Sequence, residues 1–463
     1  MTDSVRQGVM QEASRGFVVK VSVVAALGGL LFGYDTAVIS GVIGFLQTKF
    51  DLSPAMVGWA ASSAIWGCVF GAMFAGYLSD VFGRKKVLIV TAVLFFISSL
   101  GAAIPSNLTQ FVVARFIGGL GIGAASMLSP LYISEIAPAK IRGTLVSLYQ
   151  LAIVIGINLI YFVNFRIAAQ GDAAWNVDTG WRYMMGSGML PALLFFVLLF
   201  LVPESPRWLI KKGRNDEAHD TLAKVNGAEQ AGVLAGEIKS ALSSETGTVG
   251  ELFGSGLRIA LIVGVVLALF SQITGINAII YFAPEIFKSI GIGSESAFLQ
   301  TFIIGVINTL FTFVAIWLID RAGRKTLLLW GVAGMIICLA GAALCFHFNI
   351  TTGPWLLISI FGFIACFASS LGPIPWVIMS EIFPTKTRGI AMSFCTIILW
   401  VGVIFITQFT PMLLESAGGA MTFGLFMVNS IILLVFIWYK IPETKQKSLE
   451  EIEQVWRVKH AKS

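Results

Sequence analysis

Polar and apolar positions segregate along this chain on the scale of whole helices. Stretches without Asp, Glu, Lys or Arg run over 52–79, 87–114, 143–165, 183–203, 259–284, 296–319, 389–414 and 416–439. Each reaches the roughly 20 residues that an apolar helix needs to cross a bilayer. A longer stretch, 326–380, has room for two such helices with a turn near His347–Gly353. Segments 18–46 and 108–134 are apolar apart from a few charges, chiefly Asp35 and Arg115. The pattern predicts an all-α membrane protein of twelve transmembrane helices. It also argues against a cleavable leader, because the first segment is too long and no small-residue processing site follows it.

Composition sharpens this picture. Of 463 residues, 57% are apolar and only 12% charged, and the mean hydropathy is +0.86. Soluble domains carry about 25% charge, so this surface must be covered largely by lipid. The net charge of +6 therefore calls for no nucleic acid partner. Five cysteines lie in apolar runs and three histidines lie far apart, which points to neither a disulfide framework nor a metal centre. The basic residues are unevenly spread. Loops after spans 2, 4, 8 and 10 hold Arg84, Lys85, Lys86, Lys140, Arg142, Arg321, Arg324, Lys325, Lys386 and Arg388. The other six loops hold only Lys49, Arg166, Arg182 and Lys288. Positive charge stays on the cytoplasmic side, so both termini are expected there.

The chain divides into an N-terminal tail (1–17), a six-helix half (18–204), a polar helical linker (205–257), a second six-helix half (258–440) and a C-terminal tail (441–463). The halves repeat. The run Asp80-Val-Phe-Gly83-Arg84-Lys85 recurs as Asp320-Arg-Ala-Gly323-Arg324-Lys325, offset by 240 residues. Ser134-Glu135 with Arg142-Gly143 recurs as Ser380-Glu381 with Arg388-Gly389, offset by 246, and Pro203-Glu204-Ser recurs as Pro442-Glu443-Thr, offset by 239. Six spans per half insert both copies in the same sense, giving parallel halves with a site at their interface. The boxes place acids and bases at helix ends. One reading is topological anchoring; the other is a cytoplasmic charge network that forms in the outward-facing state and releases in another.

These boxes, with Pro203-Glu204-Ser-Pro-Arg207-Trp and Pro442-Glu443-Thr-Lys, resemble the signatures of sugar porters of the major facilitator superfamily. The resemblance covers about residues 18–455. The run Gly28-Gly-Leu-Leu-Phe32-Gly-Tyr34-Asp35 is similar to the first helix of bacterial proton-coupled pentose and hexose symporters. It implies alternating access of a monosaccharide and a proton through a monomer in the bacterial inner membrane, with no cofactor and no enzymatic activity. Two other readings stay open: a facilitator of a sugar or polyol, and a sugar sensor built on a transporter scaffold. Val81 departs from the family pattern, where a basic residue is usual, and so does Gln446, where glycine is usual.

Polar side chains within spans usually face a cavity or a neighbouring helix. Span 7 is richest in them, with Ser271-Gln272-Ile-Thr274-Gly275-Ile-Asn277-Ala-Ile-Ile-Tyr281. Thr274, Asn277 and Tyr281 share one face of a straight helix, whereas Gln272 stands about 140° from Asn277. Both amides reach one site only if the helix bends at Gly275. In span 10, Gly372-Pro373-Ile-Pro375-Trp376 breaks the helix and suits a bending gate. By resemblance, Gln150, Gln272, Asn277, Asn308, Tyr281, Trp376, Trp400, Phe32 and Gly372 line the sugar. Ser271, Ile157 and Leu399 replace amides common in the family, so the pocket is less polar and fits a pentose, a hexose or a deoxy sugar. Asp35 and Arg115 are charges deep in spans 1 and 4, expected to pair because an isolated charge there is costly. The pair is either a static support or, as the resemblance implies, the proton-coupling switch. The glycines of Gly119-Leu-Gly121-Ile-Gly123 are read as close helix packing rather than a nucleotide loop.

Overall fold

The computed structural model describes residues 3–138, 141–244, 249–254, 257–350, 354–383, 387–441 and 443. All its elements are helical. The first half comprises α1 (Asp3–Ala37), α2 (Ile39–Phe50), α3 (Pro54–Phe82), α4 (Arg84–Ala103), α5 (Leu108–Ile136) and α6 (Arg142–Ala168). It ends in the interrupted stretch α7 (Ala173–Trp175), a π turn, α8 (Trp181–Gly186) and α9 (Met189–Leu199). The polar segment holds α10 (Pro206–Lys211), α11 (Asn215–Asn226), α12 (Ala228–Ser244) and α13 (Val249–Leu252). The second half comprises α14 (Arg258–Ile273), α15 (Ile276–Ser289), α16 (Ser294–Ala322) and α17 (Arg324–His347). It closes with α18 (Pro354–Ala368), α19 (Ile374–Ile382), α20 (Arg388–Ser416) and α21 (Gly418–Lys440).

Eleven segments among the described residues are long and apolar enough to cross a membrane. The twelfth is the broken pair α18 and α19, where Pro373 lacks an N–H and stops the helical ladder. One boundary differs from the hydropathy pattern. The charge-free run 87–114 continues past the end of α4, because Ile104–Asn107 are uncharged yet form the turn whose Asn107 side chain caps α5 by accepting from Gln110 N. Charge alone cannot mark a turn made of neutral residues.

Small residues set the helix spacing. A Cβ on Gly119 would stand 1.9 Å from the Ala64 carbonyl oxygen, and one on Gly123 would stand 2.1 Å from that of Cys68. The glycine run therefore lets α5 lie directly on α3, as its packing reading requires. The halves meet through α3 with α20 and through α6 with α16. Several of these contacts seal the end of the bundle away from the charged boxes. Gln408 Nε2 donates to Ala55 O at 3.1 Å, and Ser62 Oγ donates to Gln408 Oε1 at 3.0 Å. Tyr161 Oη donates to Ile280 O at 2.7 Å, and the Phe45 and Phe298 rings stack at 6.1 Å.

Candidate transport site

At the opposite end, three motifs of the first half converge. Gly83 has φ +104°, a left-handed geometry that glycine adopts without strain, and it turns α3 into α4. Glu204 then caps the new helix, its Oε1 accepting from Arg84 N at 2.9 Å and from Lys85 N at 3.1 Å. A carboxylate is favoured there by the unpaired N–H groups and the helix dipole. Burial outweighs these donors and pushes the Glu204 carboxyl above its ordinary range. Arg84 donates from Nε and Nη2 to both oxygens of Glu135 at 3.0 and 3.1 Å, and from Nη1 to Asp80 Oδ1 at 2.8 Å. The linker joins the clip through Trp208 Nε1, which donates to Asp80 O, and Lys211 Nζ, 2.8 Å from Asp80 Oδ2.

The second half repeats the arrangement. Gly323 has φ +91°. Glu443 caps α17 by accepting from Arg324 N at 2.9 Å and Lys325 N at 3.0 Å, and Arg324 Nη2 donates to Glu381 Oε1 at 3.0 Å. Apart from the linker's Lys211, these pairs join residues of the same half or its flanking Pro-Glu box. The expected network reading therefore divides: the described contacts are clips inside each half, formed here while the other end is sealed. The side chains of Arg142, Asp320 and Arg388, named for the same network, lie outside the described residues. Arg207 is half-buried on α10. The capping role of the two Pro-Glu boxes is not apparent from their sequence, since each cap lies about 120 residues from the helix it closes; the shared offset of 239–246 residues was the available signal.

In the middle of the bundle, Gly275 has φ +95° and separates α14 from α15. The break brings the two amides together, and Asn277 Nδ2 donates to Gln272 Oε1 at 2.6 Å while Gln272 Nε2 donates to Ser271 Oγ at 2.9 Å. It also corrects one expectation. Thr274, Asn277 and Tyr281 do not form a continuous face, because Thr274 closes α14 while the other two belong to α15. Thr274 and Tyr281 are enclosed, at 0% and 1% exposure, whereas Asn277 and Gln272 are half-buried. Gln150 on α6 and Trp376 on α19 are also half-buried, as is Gly372 in the α18–α19 break. Asn308 on α16 is buried at 8%. Phe32 on α1 and Trp400 on α20 bridge the halves with ring centroids 5.4 Å apart. Trp400 is buried, and its indole N–H has no hydrogen-bond partner.

Beside this layer lies the membrane-embedded pair. Arg115 Nη1 is 2.8 Å from Asp35 Oδ1, and Nη2 donates to the Asp35 backbone carbonyl at 2.9 Å. The side chains are 0% and 8% exposed. Asp35 Oδ2 has no hydrogen-bond partner. The arrangement can hold a neutral polyol through amides and aromatic faces, and it can take a proton on one free carboxylate oxygen.

The model of the family described as "Sugar (and other) transporter" matches residues 21–456. The chain belongs to this sugar transporter family. It is 47% identical over 449 residues to the arabinose-proton symporter of Bacillus subtilis (strain 168), covering 97% of each chain. It is 40% identical over 474 residues to the D-xylose-proton symporter of Escherichia coli (strain K12), covering 95% of this chain and 96% of that one. Among solved structures it resembles the inward open conformation of the xylose transporter XylE from E. coli, with TM-score 0.84, 40% identity, and 95% and 100% of the two chains covered. A proton:xylose symporter bound to 6-bromo-6-deoxy-D-glucose matches with TM-score 0.82, 41% identity, and 96% and 100% coverage. Membership of the sugar transporters accounts for the paired boxes and the twelve spans, and it assigns transport rather than catalysis to the chain.

Proposed function

We propose that this protein imports a monosaccharide (pentose, hexose or deoxy sugar) across a bacterial plasma membrane together with a proton. The box end reads as cytoplasmic by its positive charge, and the contacts between the halves at the other end fit an inward-facing state. The names of the arabinose- and xylose-proton symporters among its relatives support this class of substrate and coupling ion. Gln272, Asn277, Asn308 and Trp376 supply the contacts of the second half, and Gln150 those of the first. Amides offer both donors and acceptors to hydroxyls, and aromatic faces cover the C–H surfaces of the ring. A single chain carries the whole path, and the proton is the only coupling species.

The observation that carries the coupling is the buried Asp35–Arg115 pair with one carboxylate oxygen unpartnered. Protonation weakens the hold of Arg115, the halves rock, and the proton leaves on the other side with the sugar. Purified protein in liposomes should accumulate radiolabelled arabinose or xylose when the outside is more acidic. Asp35→Asn, a permanently neutral mimic, should lose accumulation and retain sugar binding and some sugar-for-sugar exchange. Accumulation that survives in the mutant, or its absence from the unmutated protein, would instead identify a facilitator.

A further inference from the structure

The ion pair leaves one neighbouring group unexplained. Ser98 on α4 is 0% exposed, and its hydroxyl has no hydrogen-bond partner. Several buried hydroxyls on α3 and α4 turn back to the carbonyl three residues earlier, as those of Ser63, Ser79 and Thr91 do. Ser98 instead reaches across to α5. Its Oγ lies 2.3 Å from the point where a Cβ on Gly118 would stand, and Asp35 Oδ2 lies 3.7 Å from the same point. Both oxygens therefore share a notch that exists because residue 118 has no side chain. Arg115, three residues before Gly118 on α5, has an Nε with no hydrogen-bond partner. Buried polar atoms are seldom left so, and here several collect around the acid that the coupling reading depends on.

We propose that Ser98 is a positioning residue for proton coupling, its hydroxyl serving Asp35 Oδ2 directly or through one bridging water. The inference rests on the reading of Asp35 as the proton site. A guanidinium has donors only, so Arg115 serves the ionised carboxylate and not the acid's O–H. A serine hydroxyl serves both forms by rotating about its C–O bond: it donates to the carboxylate and accepts from the protonated acid. When a proton arrives on Oδ2, the new O–H donates to Ser98 Oγ while Arg115 is released. The carboxyl thus keeps its place through the step in which its charge disappears. Arg115 is the charge facing Asp35 from α5. Cys68 on α3 and Tyr281 on α15 are the other ionisable groups within electrostatic reach. Tyr34, next to Asp35 on α1, is hydrogen-bonded to Ser187, and α6 presents Ile153 and Ile157 to this part of α1.

The test uses the full chain in liposomes and the initial rate of radiolabelled arabinose uptake as a function of external pH. The bond to the carboxylate is charge-assisted and stronger than the bond to the acid, so losing the hydroxyl penalises the ionised form more. Ser98→Ala should move the pH of half-maximal uptake upward by about 0.5–1 unit. Gly118→Ala, whose methyl would displace the hydroxyl, should move it in the same direction. Ser99→Ala is the control, since its hydroxyl faces Gly188, and it should leave the midpoint in place. A structural role alone would lower rates without moving any midpoint. If Asp35→Asn abolishes accumulation while both Ser98→Ala and Gly118→Ala keep the original midpoint, the role of Ser98 is overturned and coupling at Asp35 stands. If the unmutated protein shows no pH-driven accumulation, both fall together.

Discussion

The two halves share their boxes yet divide their chemistry. In the first half, α1 and α5 bury a charge pair, and the Arg84 clip is bidentate on Glu135, with side chains 8% and 5% exposed. In the second half, the corresponding Arg324–Glu381 pair is looser, at 12% and 23% exposed. There the spans break at Gly275 and at Gly372–Pro375, with the polar residues of α14 and α15 at the first break, whereas the first half breaks after Ala37 and around its π turn. The first half thus concentrates the buried charges, and the second the uncharged amides of α14 and α15. The halves touch where Phe32 meets Trp400 and Tyr161 meets Ile280, and on the proposed reading coupling passes through these contacts.

The contrast can be broken by experiment, beginning with the buried pair. Arg115→Leu should destabilise the protein by about 3–5 kcal/mol, since it strands a carboxylate in a dry site. Arg324→Leu should cost clearly less, because its partner is partly solvated. Thermal unfolding in detergent compares them, and equal losses would erase the distinction between the halves. Next, Gly275→Ala forces a side chain into φ +95°, with its Cβ 2.3 Å from the Phe426 ring. The strain and overlap should amount to about 2–4 kcal/mol, and transport should fall as Gln272 and Asn277 separate. Gln272→Ala should weaken sugar binding by roughly 1–3 kcal/mol, through the partners it leaves unsatisfied. Unchanged affinity by calorimetry would remove this amide from the site. Smallest of all, Lys211→Ala breaks a pair whose side chains are 46% and 44% exposed, and unfolding should shift by under about 1 kcal/mol.

Much of this was readable in one dimension. Twelve spans, a central linker and a parallel repeat follow from apolar length and from three boxes at nearly constant offsets, because lipid leaves a helix few alternatives to satisfying its own backbone. The pairing of Asp35 with Arg115 follows from the cost of a lone charge in hydrocarbon. The need for a bend at Gly275 follows from the angle between Gln272 and Asn277. Tertiary structure alone decided the rest. It showed that Glu204 and Glu443 cap helices about 120 residues away, since a cap is a matter of proximity and carries no local periodicity. It placed Tyr281 and Thr274 in enclosed positions, because a left-handed glycine interrupts the register that sequence spacing assumes. It chose the sealed end of the bundle, which depends on how the Gln408 side chain meets Ala55 and Ser62 across 350 residues of chain. It also brought Ser98 and Gly118 beside Asp35, an encounter among three helices that no spacing along the chain encodes.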